Sequence, residues 1–428
     1  MHGPIRIVAL ILLIGGAGAA ADDAKVRGKA VRDLAKAGPE SIPKVAVYLS
    51  DPETSVRLEA VKAIAGLDTQ RSLDPLVKAT SDNDPEIQMR ATDGLINFYL
   101  PGYMQSGVTA PIKRISKGIK SKFTDTNDQV IDAYVQVRPE IIEALGKLAR
   151  GGASMESRAN AARGLGILRG RAAVPDLIEA VKSKDDQVIY EALIALEKIH
   201  DESAGPAIAY RLRDPVEKVQ IAAIEATGIL QNKSAINQVR DALDRSKNPK
   251  VRRAALTTIA MLPDPQSRGL LMNYLADTDD GLRTAAIEGI ARLQNPSDRP
   301  AVEKAFADEK KGGPRLAAAF GNVALGNIDM TEFAPLRYLV NNLNSQAYRG
   351  VARSYLIELA RDGVARRQLY LALKQSPTRE EKTGLAQVLA ASGDPDSIPY
   401  LETLSQDPDT DVAKEGLRAL QTLRSRGQ

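Results

Sequence analysis

Three aromatic residues, Phe98, Tyr99 and Tyr103, fall within the eight positions from Asn97 to Met104, in a chain with only seventeen Phe and Tyr and no Trp. Further on, Lys113, Arg114, Lys117, Lys120 and Lys122 place five positive charges in one run that contains no acid. Aromatic rings are the residues most often found at the energetic centre of protein interfaces, and rim charges set association rate and salt dependence. Together they point to a surface for an acidic protein, a polyanionic glycan or lipid headgroups. The structural alternative is a longer repeat whose aromatics fill its own core and whose lysines are solvated. Ile115 and Ile119, four apart as on an amphipathic helix face, fit that alternative.

Residues that could carry catalysis are scarce. Besides His2 there is one histidine, His200, followed by Asp201 and Glu202. It could serve a metal or acid–base chemistry, or sit as a cation at a helix C-terminus favoured by the dipole. With no Cys, there are no disulfides, iron–sulfur clusters, Cys-ligated zinc or thiol catalysis. Neither a GxxxxGK[ST] phosphate loop nor a GxSxG elbow is present. Gly151-Gly152 and Gly312-Gly313 read as loop punctuation. A second basic cluster, Arg245, Lys247, Lys250, Arg252 and Arg253, marks one turn, where Arg252 is expected to pair with a turn Asp. The expectation is a chain with no catalytic residues, cofactor or metal. Its net charge of +4 over 428 residues is too small for a polycation that coats nucleic acid.

What must position these residues is one phrase repeated. Val56-Arg57-Leu58-Glu59-Ala60 returns as Val219-Gln220-Ile221-Ala222-Ala223, Val251-Arg252-Arg253-Ala254-Ala255 and Leu282-Arg283-Thr284-Ala285-Ala286. Taking its last residue as an anchor gives positions 30, 60, 91, 161, 192, 223, 255, 286, 318, 352, 384 and 416, mostly 30 to 34 apart. The gap from 91 to 161 has room for a thirteenth, degenerate copy near Tyr134. Before each phrase stands a Leu-containing segment often opened by Pro, as in Ile42-Pro43, Asp74-Pro75, Val174-Pro175, Ala334-Pro335 and Ile398-Pro399. Pro is tolerated in a first helical turn, where its missing N–H breaks no bond. Between the two halves lie acidic turns such as Asp51-Pro52, Asp185-Asp186, Asp214-Pro215, Asp279-Asp280 and Asp409-Thr410-Asp411, which can cap the second helix. Each unit therefore reads as helix, turn, helix, turn. The small anchors belong at close helix crossings, and stacked neighbours bury what one hairpin cannot.

The phrase Asp-x-x-x-x-Val-Arg-x-x-Ala, with Pro opening the helix before it, resembles HEAT repeats of the short, phycobilisome-lyase-like class, from about Ala24 to Arg424. The resemblance implies an all-α solenoid of about 12–13 antiparallel hairpins. It also implies work done mostly by binding, since such solenoids are chiefly scaffolds and adaptors. HEAT-fold hydroxylases hold iron with His-Glu pairs, absent here, and HEAT-like DNA glycosylases rely on aromatics such as Trp, also absent. The phycobilin lyases share the repeat, but no residue of this sequence singles out a chromophore site.

The N-terminus reads as an export signal over residues 1–21. Arg6 is followed by the apolar run Ile7 to Ile14 and by small residues up to Ala21 that fit small-x-small cleavage. That run is shorter than the roughly 20 residues a bilayer needs, so no transmembrane segment is expected in residues 22–428, the solenoid with an irregular stretch at about 97–155. The expected protein is an exported, periplasmic or extracellular, non-catalytic scaffold that binds protein partners, with a possible acidic partner at the basic run. Two alternatives are an enzyme or enzyme subunit of lyase-like or protein-modifying type acting on a bound protein, and a binder of envelope polyanions or lipid headgroups through residues 113–122.

Overall fold

The computed structural model describes residues 11–104 and 129–426, and every regular element among them is helical. The repeat phrases lie on α1 (Ile11–Ala35), α3 (Thr54–Leu67), α5 (Pro85–Tyr99), α7 (Met155–Ile167), α9 (Asp186–Ile199), α11 (Glu217–Ile229), α13 (Pro249–Met261), α15 (Asp280–Arg292), α17 (Gly312–Ala324), α19 (Arg349–Leu359), α21 (Arg379–Ser392) and α23 (Thr410–Arg426). The Leu-containing segments form α2 (Ile42–Ala46), α4 (Leu73–Ala79), α6 (Pro139–Gly151), α8 (Val174–Ala180), α10 (Gly205–Ile208), α12 (Ile236–Arg245), α14 (Arg268–Tyr274), α16 (Arg299–Asp308), α18 (Pro335–Asn341), α20 (Gly363–Gln375) and α22 (Ile398–Leu404). Each even-numbered helix folds back on the odd-numbered helix that follows it, and within α1 to α9 and within α11 to α23 successive odd-numbered helices stack. The result is the expected α-solenoid: all twelve anchors lie on odd-numbered helices, eleven of them in complete hairpins.

Local chemistry explains the hairpins. Pro sits in the first turn of α2, α8, α18 and α22. Asp185 caps α9 by accepting from the amides of Gln187 and Val188, both at 3.0 Å, and Asp279 caps α15 through Gly281 and Leu282. Ala60, Ala91, Ala161, Ala192, Ala223, Ala255, Ala286, Ala318 and Ala352 are completely buried. At the last anchor even a methyl is too large: a Cβ on Gly416 would lie 2.7 Å from the backbone of Leu404. Many odd-numbered helices end on a left-handed residue that is not glycine, namely Asp68, Arg169, His200, Gln231 and Gln294, with φ of 46 to 55°. The chain turns there into the next hairpin.

Arginines of the phrase tie some repeats to the next. Arg27 reaches Asp51 at 2.8 and 3.1 Å, Arg57 reaches Asp82 at 2.8 and 3.0 Å, and Arg283 reaches Glu309 at 3.0 Å. Arg252 departs from its expected role. It donates to the Leu243 carbonyl and the Tyr274 hydroxyl, while its neighbour Arg253 grips Asp279 with both carboxylate oxygens at 2.9 Å and lowers that carboxyl's pKa. One residue of helix rotates the side chain by about 100°, so of two adjacent arginines the turn acid selects the one that faces it.

The chain packs as two units. One comprises residues 1–131 and 135–204; the other comprises residues 205–428 with 132–134. In the first unit α5 packs directly on α7: a Cβ on Gly164 would meet Ile96 at 2.9 Å. A thirteenth copy near Tyr134 is therefore absent from the stack, and residues 129–138 are not helical. Tyr134 instead donates to Asp132 at 2.9 Å. Anchors 91 and 161 are thus on neighbouring helices of the stack, and the described residues 129–138 lead into α6 as an ordinary first helix. In the second unit the core runs through Leu316, Phe320, Leu336, Leu339, Leu356, Leu385, Leu389 and Leu401. α1 passes through Ala19–Ala21 without a break. No helix among the described residues is long and apolar enough to cross a membrane.

Candidate functional site

The aromatic residues of the irregular stretch stand at the C-terminal end of α5. Phe98 and Tyr99 are half-buried and meet edge to face, with ring centroids 5.0 Å apart. The Tyr99 hydroxyl accepts from the amide of Arg138 at 3.3 Å, which pins the start of α6 beside the end of α5. Ile131 donates its amide to the Ile167 carbonyl at 3.0 Å and is buried. Tyr103 is 1% exposed. After α5 the chain doubles back through Gly102, at φ +93°, and sets the Tyr103 ring against the helices. Lys113, Arg114, Lys117, Lys120 and Lys122 lie outside the described residues.

Beside Tyr103 is a buried polar cluster that joins α5, α7 and α9. The Asp93 carboxylate on α5, 6% exposed, accepts from the Asn160 amide of α7 at 3.0 Å. One turn on, the Arg163 guanidinium grips Glu191 of α9 through Nη2 at 2.6 Å and Nε at 3.2 Å, and Gln187 adds a donor to the same carboxylate at 2.7 Å. The Tyr103 hydroxyl interacts with Arg163. Gln88 closes the rim, donating to the Asp82 carbonyl and accepting from the Ala153 amide. With Arg163 paired to Glu191, Asp93 leaves one negative charge in excess.

Burial governs the electrostatics. Desolvation raises the Asp93 pKa to about 6, against the opposing pull of Asn160, Arg90 and Arg163. Desolvation also pushes the Tyr103 phenol far up, and the Asp93 charge adds to it, so the phenol stays neutral. A carboxyl that titrates near neutrality can both give and take a proton, and such perturbed groups concentrate at functional sites. Among the described residues no group of three or more His, Asp or Glu could hold a metal.

A second buried cluster belongs to the other unit. Arg292 donates to Glu358 at 2.9 Å and to Glu288 at 2.9 Å, and it lies over the Phe320 ring, which stacks on Tyr355. Tyr355 donates to Glu288. Here both carboxylates share the one guanidinium, and the cluster clamps α15 to α19 across α17. A surface cleft of about 630 Å³ along Gly326–Thr331 and Gln368 has one acid, Asp329, which is occupied by the amide and hydroxyl of Thr331.

His200 is not the helix-end cation expected of it. Burial, and then the charge of Arg169, lower its pKa and keep it neutral. Its place is conformational: it is the left-handed residue that ends α9, with its amide on the Leu196 carbonyl at 3.1 Å.

The sequence reading found Tyr103 but missed Asp93, Asn160, Arg163 and Glu191, which look like ordinary polar residues of amphipathic helices. The position before the anchor gives no signal: it is alanine at 222, 254, 285 and 317, but polar as Lys29, Glu59, Arg90, Asn160, Glu191, Thr383 and Glu415.

The sequence profile of HEAT repeats matches residues 16–96, 142–228 and 236–321, more than half of the chain. The phycocyanobilin lyase subunit alpha of Nostoc sp. is 29% identical over 163 residues, 35% of this chain and 59% of that protein. The bilin biosynthesis protein PecE of the same organism is 27% identical over 133 residues, 29% of this chain and 53% of that protein. The chain thus spans just over half the length of these relatives. A solved structure, the complex of CpcE and CpcF of phycocyanin lyase from Nostoc sp., aligns with a TM-score of 0.36 at 21% identity, covering 58% of this chain and 86% of that one. The expectations of a non-catalytic scaffold and of no enzymatic role are corrected by these relatives, which are named as a lyase subunit and a biosynthesis protein. Those expectations rested on missing His, Cys and nucleotide-loop motifs. They had no means of registering an aspartate whose pKa is raised by burial.

Proposed function

This chain belongs to the HEAT-repeat family, and from that premise we propose that it is a subunit of a lyase-type enzyme that acts on a bound protein. The observation that carries the proposal is the likeness to the phycocyanobilin lyase subunit and to PecE. In this reading the solenoid surface holds the protein substrate, and a bilin or similar open-chain tetrapyrrole is the group attached or removed. Asp93 is the residue best suited to proton transfer, because burial sets its pKa near neutrality. The reading of residues 1–21 as an export signal belongs to the same proposal and places the reaction outside the cytoplasm.

The test uses the full chain. Phycocyanobilin is titrated into it while the visible absorption band is followed, and the chain is then added to a phycobiliprotein subunit lacking its chromophore. We expect a saturable spectral change and bilin that stays with the acceptor subunit through a denaturing gel. A flat titration together with no faster labelling than in the uncatalysed mixture refutes the proposal.

A further inference from the structure

We propose that the turns entering α17 and α19, in the second unit, dock an acidic segment of a protein partner. Its carboxylates serve Arg315 and Arg349, whose own repeats lack an acid for them. Both arginines hold the place in the phrase that Arg27, Arg57 and Arg283 hold. Those three bond to an acid of the next hairpin, Asp51, Asp82 and Glu309. At Asp51 and Glu309 that acid is the extended residue on which the chain leaves the first half of the hairpin, with φ and ψ of −64° and 139° and of −72° and 127°. The corresponding residue in the next two hairpins is a serine: Ser345, at −81° and 121°, and Ser376, at −62° and 117°. These two repeats keep the cation and lose the acid. Neither guanidinium has a hydrogen bond or ion pair among the described residues. Arg315 lies 5.3 Å from the ring centroid of Phe306 and 5.1 Å from that of Tyr338, which holds the cation without neutralising it. Neighbouring acids are engaged: Glu309 accepts from Arg283 and from the amides of Lys310 and Lys311, and Glu381 accepts from Asn344 at 2.8 Å. The Lys310, Lys311 and Arg349 side chains are exposed. The two turns adjoin, because a Cβ on Gly312 would run into the Tyr348 hydroxyl. Arg27 and Arg57 take their carboxylates through two bonds each, so an arginine at this place is shaped for a carboxylate. Packed helices lie about 8–10 Å apart, so acids about three residues apart on an extended chain reach both arginines. The chain's net charge of +4 provides no field for a nucleic acid.

This inference rests on the repeat pattern of the second unit, and its test involves no bilin, so it stands or falls separately from the lyase reading. The full chain is titrated into a short fluorescein-labelled peptide with Glu at every third position among Gly and Ser, and anisotropy is followed. The same peptide with Gln in place of Glu is the matched neutral probe. We expect the acidic peptide to bind saturably and the neutral one at least about tenfold more weakly, the loss expected for one charge-assisted hydrogen bond. Two double variants should each weaken the acidic peptide by a similar factor. Arg315→Gln with Arg349→Gln removes the cations. Ser345→Asp with Ser376→Asp gives these repeats the acid of their sisters, so that the arginines are occupied from within the chain. Arg361→Gln with Arg367→Gln removes the same charge from exposed arginines beyond the other end of α19 and should bind like the wild type. The proposal is overturned if the neutral peptide binds as well as the acidic one. It is equally overturned if the serine-to-aspartate variant, folded by its circular dichroism, binds as tightly as the wild type, or if the Arg361 and Arg367 control loses as much. Tighter binding of a single-stranded oligo-dT than of the acidic peptide also overturns it, since the surface would then be a general polyanion site.

Discussion

Replacing Asp93 with asparagine should make this protein more stable, although it removes one member of a buried polar cluster. The carboxyl is 6% exposed and its pKa is raised from 3.8 to about 6. The folded state therefore binds the proton more tightly than the unfolded state, and stability falls as pH rises between those two values. Below about pH 3 the group is largely neutral in both states and costs almost nothing. Above about pH 6.5 the ionised form is held in a desolvated site at a cost of about 3 kcal/mol, at about 1.4 kcal/mol per unit of pKa. Asparagine keeps the shape and keeps an oxygen for the Asn160 amide, and it removes the excess negative charge beside the Arg163–Glu191 pair. Asp93→Asn should thus gain about 2–3 kcal/mol at pH 8 and close to nothing at about pH 3. Urea denaturation at both pH values reads this directly, with hydrogen exchange of α5 and α7 as the local probe, because repeat arrays need not unfold in one step. Asp93→Asn proving less stable than the wild type at pH 8, or a difference that is the same at both pH values, would refute the reasoning.

Other predictions test the repeat itself. Ala223 is completely buried, so Ala223→Leu should overpack the crossing and cost about 1–3 kcal/mol; an unchanged melting temperature would mean the crossing is loose. Arg57 and Asp82 have side chains only 11% and 10% exposed, so Arg57→Ala should cost about 2 kcal/mol, and a double-mutant cycle with Asp82→Ala should show coupling of about 1–3 kcal/mol. Gln294 is exposed and left-handed at φ 51°, so Gln294→Gly should be neutral or stabilise by up to about 1 kcal/mol in thermal melts, because strain relief outweighs the added freedom of the unfolded chain. If residues 1–21 are an export signal, intact mass of protein from the native host should place the N-terminus between Ala20 and Asp22. Recovery of Met1-containing protein from the cytosol speaks against it.

The fold was legible because its determinants are local and recur. Prolines in first turns, aspartates at helix starts and alanines at crossings each act within one hairpin or on the next, so the same residues return about every 32 positions. Where the period failed, inference from period alone failed with it. A gap of 70 residues suggested one more copy, yet the chain closes the stack over it, with Gly164 admitting Ile96 and Asn160 reaching Asp93. The site was illegible for a related reason. Its members come from α5, α7, α9 and the stretch after α5, and none differs in type from a solvated residue of an amphipathic helix. Asp93 differs from the turn aspartates only in what surrounds it. Asp279 is held ionised by Arg253, whereas Asp93 faces an amide, a phenol and a guanidinium already committed to Glu191. In the proposed function this buried carboxyl, raised in pKa by its desolvation, is the group that would exchange a proton, and the asparagine variant separates that role from its effect on the fold.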